Sequence, residues 1–188
     1  MNRSNLSEIE HSMKQMGMHI LLGCNHVPFH HERLHNNIRS LMKDFYGDIK
    51  GFHLLGDFLD MNSLSFHDKG KFTAFPGLTL DQEYVSGNAE LDKFDDILSA
   101  DVWKTYLYGN HEHRYNRWMS DMNNSKTPLS SPEDALNLID RGYEFKTNWS
   151  DDYFTIGDMD TFHGIYFSIH NGKAHLDKLR KSCAYVHT

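Results

Sequence analysis

Three short apolar runs constrain this chain most: "MHILLG" (18–23), "GFHLLG" (51–56) and "VWKTYLYG" (102–109). Each ends in glycine and leads straight into polar residues capable of chemistry. Between the first two, "ERLHNNIRSLMKDFYG" (32–47) sets Leu34, Ile38, Leu41, Met42 and Phe45 at helical spacing and stops at Gly47. Between the second and third, "EYVSGNAELDKFDDILSA" (83–100) repeats that period with Leu91, Phe94, Ile97 and Leu98. Residues 61–82 show no clean period and read as an excursion over one face. Strand, helix, strand, helix, strand predicts parallel strands with crossover helices, an α/β fold. In open sheets of that kind ligands bind beyond the carboxyl ends of the strands. The clusters "CNHVPFHH", "DFLD" and "NHEHR" all fall there.

The second half is less regular. "SPEDALNLID" (131–140) starts like a helix, with Ser and Pro ahead of an acidic first turn. "YFTI" (153–156) and "MDTFHG" (159–164) read as hairpin strands joined across Gly157-Asp158. "KAHLDKLRK" (173–181) reads as a helix, and "CAYV" (183–186) as a last strand before His187 and Thr188. Residues 1–17 form an expected N-terminal arm, and 18–188 an expected single domain.

Composition narrows the function. No apolar run approaches the ~20 residues of a membrane helix, and the N-terminus lacks the apolar core of a secretory signal. Cys24 and Cys183 are the only cysteines and match no zinc spacing, which suggests a reducing, cytoplasmic setting. A net charge of −7 argues against a broadly basic nucleic-acid surface. Histidine is frequent, 14 in 188 residues, and neutral imidazole is a common metal ligand. At the strand tips, the Asp57 carboxylate has two oxygens with which to bridge divalent cations. His26 and Asn110 supply further donors, and His111 beside Asn110 can stay off the metal as a proton donor.

G-D-x-x-D at Gly56 to Asp60 and G-N-H-E at Gly109 to Glu112 resemble the second and third motifs of the calcineurin-like metallophosphoesterases. The layout is closest to a phage and bacterial subgroup of phosphoesterases. His163-Gly164 resembles the later H-G motif, and "YVHT" stands where the family has G-H-x-H. The resemblance covers residues 18–188 and implies a β-sandwich of two mixed sheets flanked by helices, with further strands after G-H-x-H that are absent here. It implies one or two divalent ions (Mn²⁺, Fe²⁺ or Fe³⁺, Zn²⁺ or Ni²⁺) and a phosphomonoester or phosphodiester substrate. Asp57 would bridge the ions. Asn110, His163 and His187 would complete the second ion's set, and His26 would serve the first. A metal-activated hydroxide would attack, His111 would protonate the leaving oxygen, Asp60 would orient His111, and Arg114 would hold a phosphoryl oxygen.

Two positions depart from the family. Its first motif, D-x-H, here reads Cys24-Asn25-His26. A thiolate there can ligate zinc or iron, and an inert strand cysteine is the other reading. In the G-H-x-H motif, Val186 replaces the glycine and the sequence stops before the second histidine. These departures suggest a truncated or split product, an enzyme with one firm metal, or a catalytically impaired scaffold as alternatives to the complete two-metal enzyme. A DNA-processing nuclease is another, without support from the charge.

The remaining conspicuous residues have plainer readings. His30 and His31 are expected to cap a helix, and His53 to be packed in its strand. His113 is expected beside the site or exposed. His163 is preferred to His170 for the H-G role. Trp103, Trp118, Met13, Met16 and Met18 read as packing, and Asp95-Asp96 as a solvated helix face.

Overall fold

The computed structural model describes residues 16–65, 77–121, 129–166 and 169–187. The first element is strand β1 (Met18–Leu22), followed by helix α1 (Glu32–Asp44) and strand β2 (Ile49–Leu54). A 3₁₀ turn (Asn62–Leu64) precedes helix α2 (Leu80–Asp95) and strand β3 (Trp103–Leu107). Next come helix α3 (His113–Ser120), the short helix α4 (Pro132–Ala135) and strand β4 (Tyr143–Lys146). Strands β5 (Phe154–Ile156) and β6 (Met159–Phe162), helix α5 (Asn171–Leu179) and strand β7 (Cys183–Tyr185) complete the described chain.

The protein is a mixed α/β structure built on a four-stranded sheet of order β1-β2-β3-β4, parallel throughout. A second sheet of order β5-β6-β7 is mixed: β5 and β6 form the expected antiparallel hairpin, and β7 runs parallel to β6. Two mixed sheets were expected, and the first proves purely parallel among the described residues. Phe52, Leu54 and Tyr106 pack with Met42 of α1 and Leu91 and Phe94 of α2 in the main core. Alternate residues point the other way, as the two-residue strand period requires. Leu55, Trp103 and Leu107 meet Phe154 and Ile156 in a smaller core that joins the second sheet to the first.

Several local expectations change. α2 begins at Leu80 rather than near residue 83, because Thr79 and Gln82 form a reciprocal capping box. α3 and β4 were not anticipated; β4 is a short strand that pairs in parallel with β3. On α1 the buried residues are His35, Arg39 and Met42, while Leu34, Leu41 and Phe45 are exposed. The cause is Glu90 on α2, 1 % exposed, whose carboxylate meets His35 Nδ1 at 2.6 Å and Lys93 Nζ at 2.8 Å and is paired with Arg39. A buried carboxylate needs such partners, and they claim the helix face that apolar periodicity had assigned to leucines. Asp95 is not simply solvated either: it pairs with Lys104 at 2.9 Å and Arg141 at 2.7 Å. His31 caps α1, accepting from Leu34 N at 3.2 Å, whereas His30 lies 3.6 Å from Glu90 and caps nothing. The N-terminal arm, as far as residue 15 and including Met13, falls outside the described residues, as do residues 66–76 of the excursion.

His53 is packed as expected, fully buried on the face of β2 that meets the second sheet. Its Nδ1 lies 2.8 Å from Thr105 Oγ1 and its Nε2 2.9 Å from His19 Nδ1. Burial, reinforced by His19, pushes its pKa from 6.5 down to about 3. The folded state therefore holds a neutral ring that the unfolded chain would protonate below pH 6.5. That stability is present above 6.5 and is lost as pH falls towards 3, on the order of 4–5 kcal/mol in all. Urea midpoints between pH 6.5 and 3 should fall more steeply in the native chain than in His53→Leu. Equal slopes would show that His53 does not carry this dependence.

Candidate metal centre

The site lies where the strands of the parallel sheet end. Beyond β1 and β2 the two chains stay paired: Cys24 N donates to Gly56 O at 3.0 Å, His26 N to Asp57 O at 2.9 Å and Val27 N to Phe58 O at 2.8 Å. This ladder fixes Cys24 and His26 beside Asp57. All three residues adopt left-handed backbone, with φ of 50°, 54° and 51°. For residues with a Cβ this conformation costs on the order of 1–3 kcal/mol each, and such strain gathers at functional sites. Gly56 and Gly109 stand where no side chain fits. A Cβ on Gly56 would fall 2.6 Å from His163 Nδ1, and one on Gly109 would fall 2.1 Å from Asp57 Oδ1.

Glu112 ties these tips together. Completely buried, it accepts from the backbone N–H groups of Asp57, Leu59 and Gly109, each at 2.9 Å, and from the Tyr106 hydroxyl at 3.0 Å. Burial pushes its carboxyl pKa up, the Asp57 charge adds to this, and the peptide donors oppose it. Glu112 closes the G-N-H-E motif, and no role for it follows from the sequence alone. Its position next to the polar tip of β3 was the available signal.

Asp57 is the centre of the site. It is fully buried, and Oδ1 accepts from His111 N at 2.8 Å. Oδ2 has no hydrogen-bond partner among the described residues. Four ring nitrogens surround that oxygen: His163 Nε2 at 3.3 Å, His26 Nε2 and His187 Nδ1 at 3.9 Å, and His111 Nε2 at 4.0 Å. His163 Nδ1 donates to Leu55 O at 2.9 Å, which leaves Nε2 facing Asp57 and, at 3.0 Å, Asn110 Oδ1. This fixing of one tautomer by a backbone carbonyl is the usual support of a metal-bound histidine. Burial works against the imidazolium of His163, but Asp57 outweighs it and the His163 pKa is raised. Burial likewise opposes the Asp57 charge, and His163 and His111 hold the Asp57 pKa below its ordinary value. His187 reaches the site because its N–H donates to His163 O at 2.8 Å, extending the β6–β7 pairing, and the two rings stack.

Two groups of residues here could hold a metal ion: Cys24, Asp57, His163 and His187, and next to them His26, Asp60 and His111. In the second group Asp60 Oδ1 lies 3.1 Å from His26 Nδ1 and 3.5 Å from His111 Nδ1. The Asp60 carboxylate, with help from Cys24, raises the His26 pKa to about 10. His111 Nδ1 is closer to the backbone oxygen of Asp60, 2.6 Å, so Asp60 orients His111 chiefly through its carbonyl. Arg114 turns inward, donating to Asp60 O at 2.9 Å and Met61 O at 3.3 Å, with Nη2 3.1 Å from His111 Nε2. Every expected site residue is thus brought to one rim. The grouping differs from the expectation: Cys24 falls with the His163 and His187 set rather than with His26, and His26 is grouped with Asp60 and His111 rather than with Asp57. His170 lies at the start of α5, outside both groups. His113 and His163 each pack against Trp149.

A third group, His30, His35 and Glu90, lies behind α1. Arg39 and Lys93 already neutralise that glutamate, so it has little charge to offer a cation. No helix among the described residues is long and apolar enough to cross a membrane. Comparison with family models, curated proteins and solved structures gave no match.

Gly109→Ala would put a Cβ 2.1 Å from Asp57 Oδ1 and 2.5 Å from the Asp57 backbone nitrogen, so it should force the two strand tips apart, lowering both the urea midpoint and the affinity for Zn²⁺ or Mn²⁺ in calorimetric titration. Unchanged affinity would show that the close approach is not needed. Glu112→Ala should cost about 3–5 kcal/mol in chemical unfolding, since it leaves three buried N–H groups and a hydroxyl unpaired.

Proposed function

We propose that this chain is a metal-dependent phosphoesterase of the calcineurin-like kind, acting in a cytoplasmic, reducing setting. The observation that carries the reading is the buried Asp57 Oδ2, which makes no hydrogen bond among the described residues and is ringed by four imidazole nitrogens. A buried charged oxygen without a hydrogen bond is costly, and a bound cation removes that cost. Asp57, His163 and His187 would hold one ion, with Asn110 or Cys24 as a further donor beside them, and Asp57 with His26 a second. Bound there, divalent ions would neutralise phosphoryl charge and supply an activated water.

The chain's own residues account for the rest. His111 sits at the same rim, its Nδ1–H directed to Asp60 O and its Nε2 turned to the Arg114 guanidinium. A guanidinium only donates, so Nε2 is the acceptor in this arrangement. An entering phosphoester draws Arg114 onto a phosphoryl oxygen, which suits its fork of donors. Nε2 is then free to take a proton from solvent and deliver it to the leaving oxygen, while Asp60 O, accepting from Nδ1–H, holds the ring. A net charge of −7 gives no support to a long nucleic acid as substrate, so a small phosphomonoester or phosphodiester is the favoured substrate class.

Protein purified without chelator should hydrolyse an aryl phosphomonoester or phosphodiester with added Mn²⁺ and lose that activity in excess EDTA. His111→Ala should lower kcat by about 10²–10⁴-fold with metal content unchanged, and Asn110→Ala should lower both. Hydrolysis that survives both substitutions at full rate would sink the assignment. Digestion of linear DNA abolished by Asp57→Ala would move the substrate class to nucleic acid.

A further inference from the structure

We propose that Cys24, Asp57, His163 and His187 form one four-donor site that takes a borderline-soft divalent ion, Zn²⁺, Fe²⁺ or Co²⁺, through the Cys24 thiolate in preference to Mg²⁺ or Mn²⁺. The inference rests on reading the rim as a metal centre, and it names the ion that centre selects.

The geometry comes first. One donor atom from each of the four residues lies within 4.8 Å of every other. Cys24 Sγ is 4.0 Å from His187 Nδ1, which is 3.9 Å from Asp57 Oδ2, which is 3.3 Å from His163 Nε2. Donors at ~2.0–2.3 Å from a tetrahedral ion stand ~3.5 Å apart. Side-chain movements of about an ångström therefore close the set around one ion. The second pointer is independent of the cysteine: Asp57 is 0 % exposed, and its Oδ2 faces this group without a hydrogen-bond partner among the described residues.

The chemistry of the donors then decides the ion. One sulfur, two imidazoles and one carboxylate suit zinc, iron or cobalt, whereas magnesium and manganese favour oxygen-rich sets. With a hard carboxylate at position 24 the same rim would be tuned to harder ions, so Cys24 is the residue that shifts the preference. The ladder bond from Cys24 N to Gly56 O, 3.0 Å, holds it at the tip of β1, where the side chain is half-buried and reachable by an ion from solvent. Binding transfers the thiol proton to solvent and leaves the sulfur pair on the metal.

Cobalt reports on this directly, because a thiolate bound to Co²⁺ gives a near-ultraviolet charge-transfer band that oxygen and nitrogen ligands do not. The full chain titrated with Co²⁺ should show that band. Cys24→Ser should lose it, Cys183→Ser should keep it, and Zn²⁺ competition should bleach it. Cys24→Ser should also weaken Zn²⁺ binding by at least the ~10–100-fold typical of outer-sphere losses, and Cys24→Asp should raise the Mn²⁺ to Zn²⁺ affinity ratio. No band in the native chain, or a band that persists in Cys24→Ser, overturns the proposal. If Co²⁺ binds and ester hydrolysis proceeds without the band, the phosphoesterase reading stands and only the thiolate site fails. If neither metal binding nor hydrolysis occurs, both fail.

Discussion

Glu112 is the constraint on which the candidate site depends. One buried carboxylate gathers the N–H groups at the tip of β2, the N–H of Gly109 at the tip of β3, and the hydroxyl of Tyr106 from the main core. Loops that leave adjacent parallel strands would otherwise diverge, each with unpaired donors in a buried place. Bringing them onto one acceptor satisfies the donors and holds Asp57 and Gly109 in contact. The charge that does this is itself destabilised by burial and by Asp57, so the clamp works only while all its donors are present.

From that clamp the rest of the rim follows. The paired loops after β1 and β2 present Cys24 and His26, and the second sheet, fastened through Phe154, Ile156 and Trp103, delivers His163 and His187 from the other side. Two layers of the fold therefore meet at Asp57, whose second oxygen makes no hydrogen bond among the described residues and faces the His163 ring at 3.3 Å. Strained backbone at Cys24, His26 and Asp57 fits that picture, since a folded chain sustains such conformations only where surrounding bonds overdetermine them.

Behind α1, Glu90 gathers His35, Arg39 and Lys93. His35 Nε2 lies 2.9 Å from Asn25 Oδ1, which links the helical layer to the loop between Cys24 and His26. A buried charge of this kind overrides simple amphipathicity. It reserves a helix face for polar residues and leaves Leu34 and Leu41 in solvent.

How much of this was legible in the sequence depended on whether the signal was local. Strands β1, β2 and β3 were readable because short apolar runs ended in glycine, and the β5–β6 hairpin because Gly157-Asp158 marks a turn. β4 was not, since four residues with mixed polarity make a strand only when β3 is there to pair with them. The chemical identities of the rim, from His26 and Asp57 to Asn110, His111 and His163, were written in the chain as residue types at strand ends. Their grouping was not. Whether Cys24 faces His26 or the His163 and His187 pair, whether Asp60 reaches His111 through its carboxylate or its carbonyl, and what Glu112 holds are matters of distances between residues far apart in sequence. The sequence by itself determined the parallel α/β plan and the donor atoms available at its rim, because strand period and residue chemistry are local properties. Only the tertiary structure decided which donors share a centre, because that rests on the register between strands and on the docking of the second sheet.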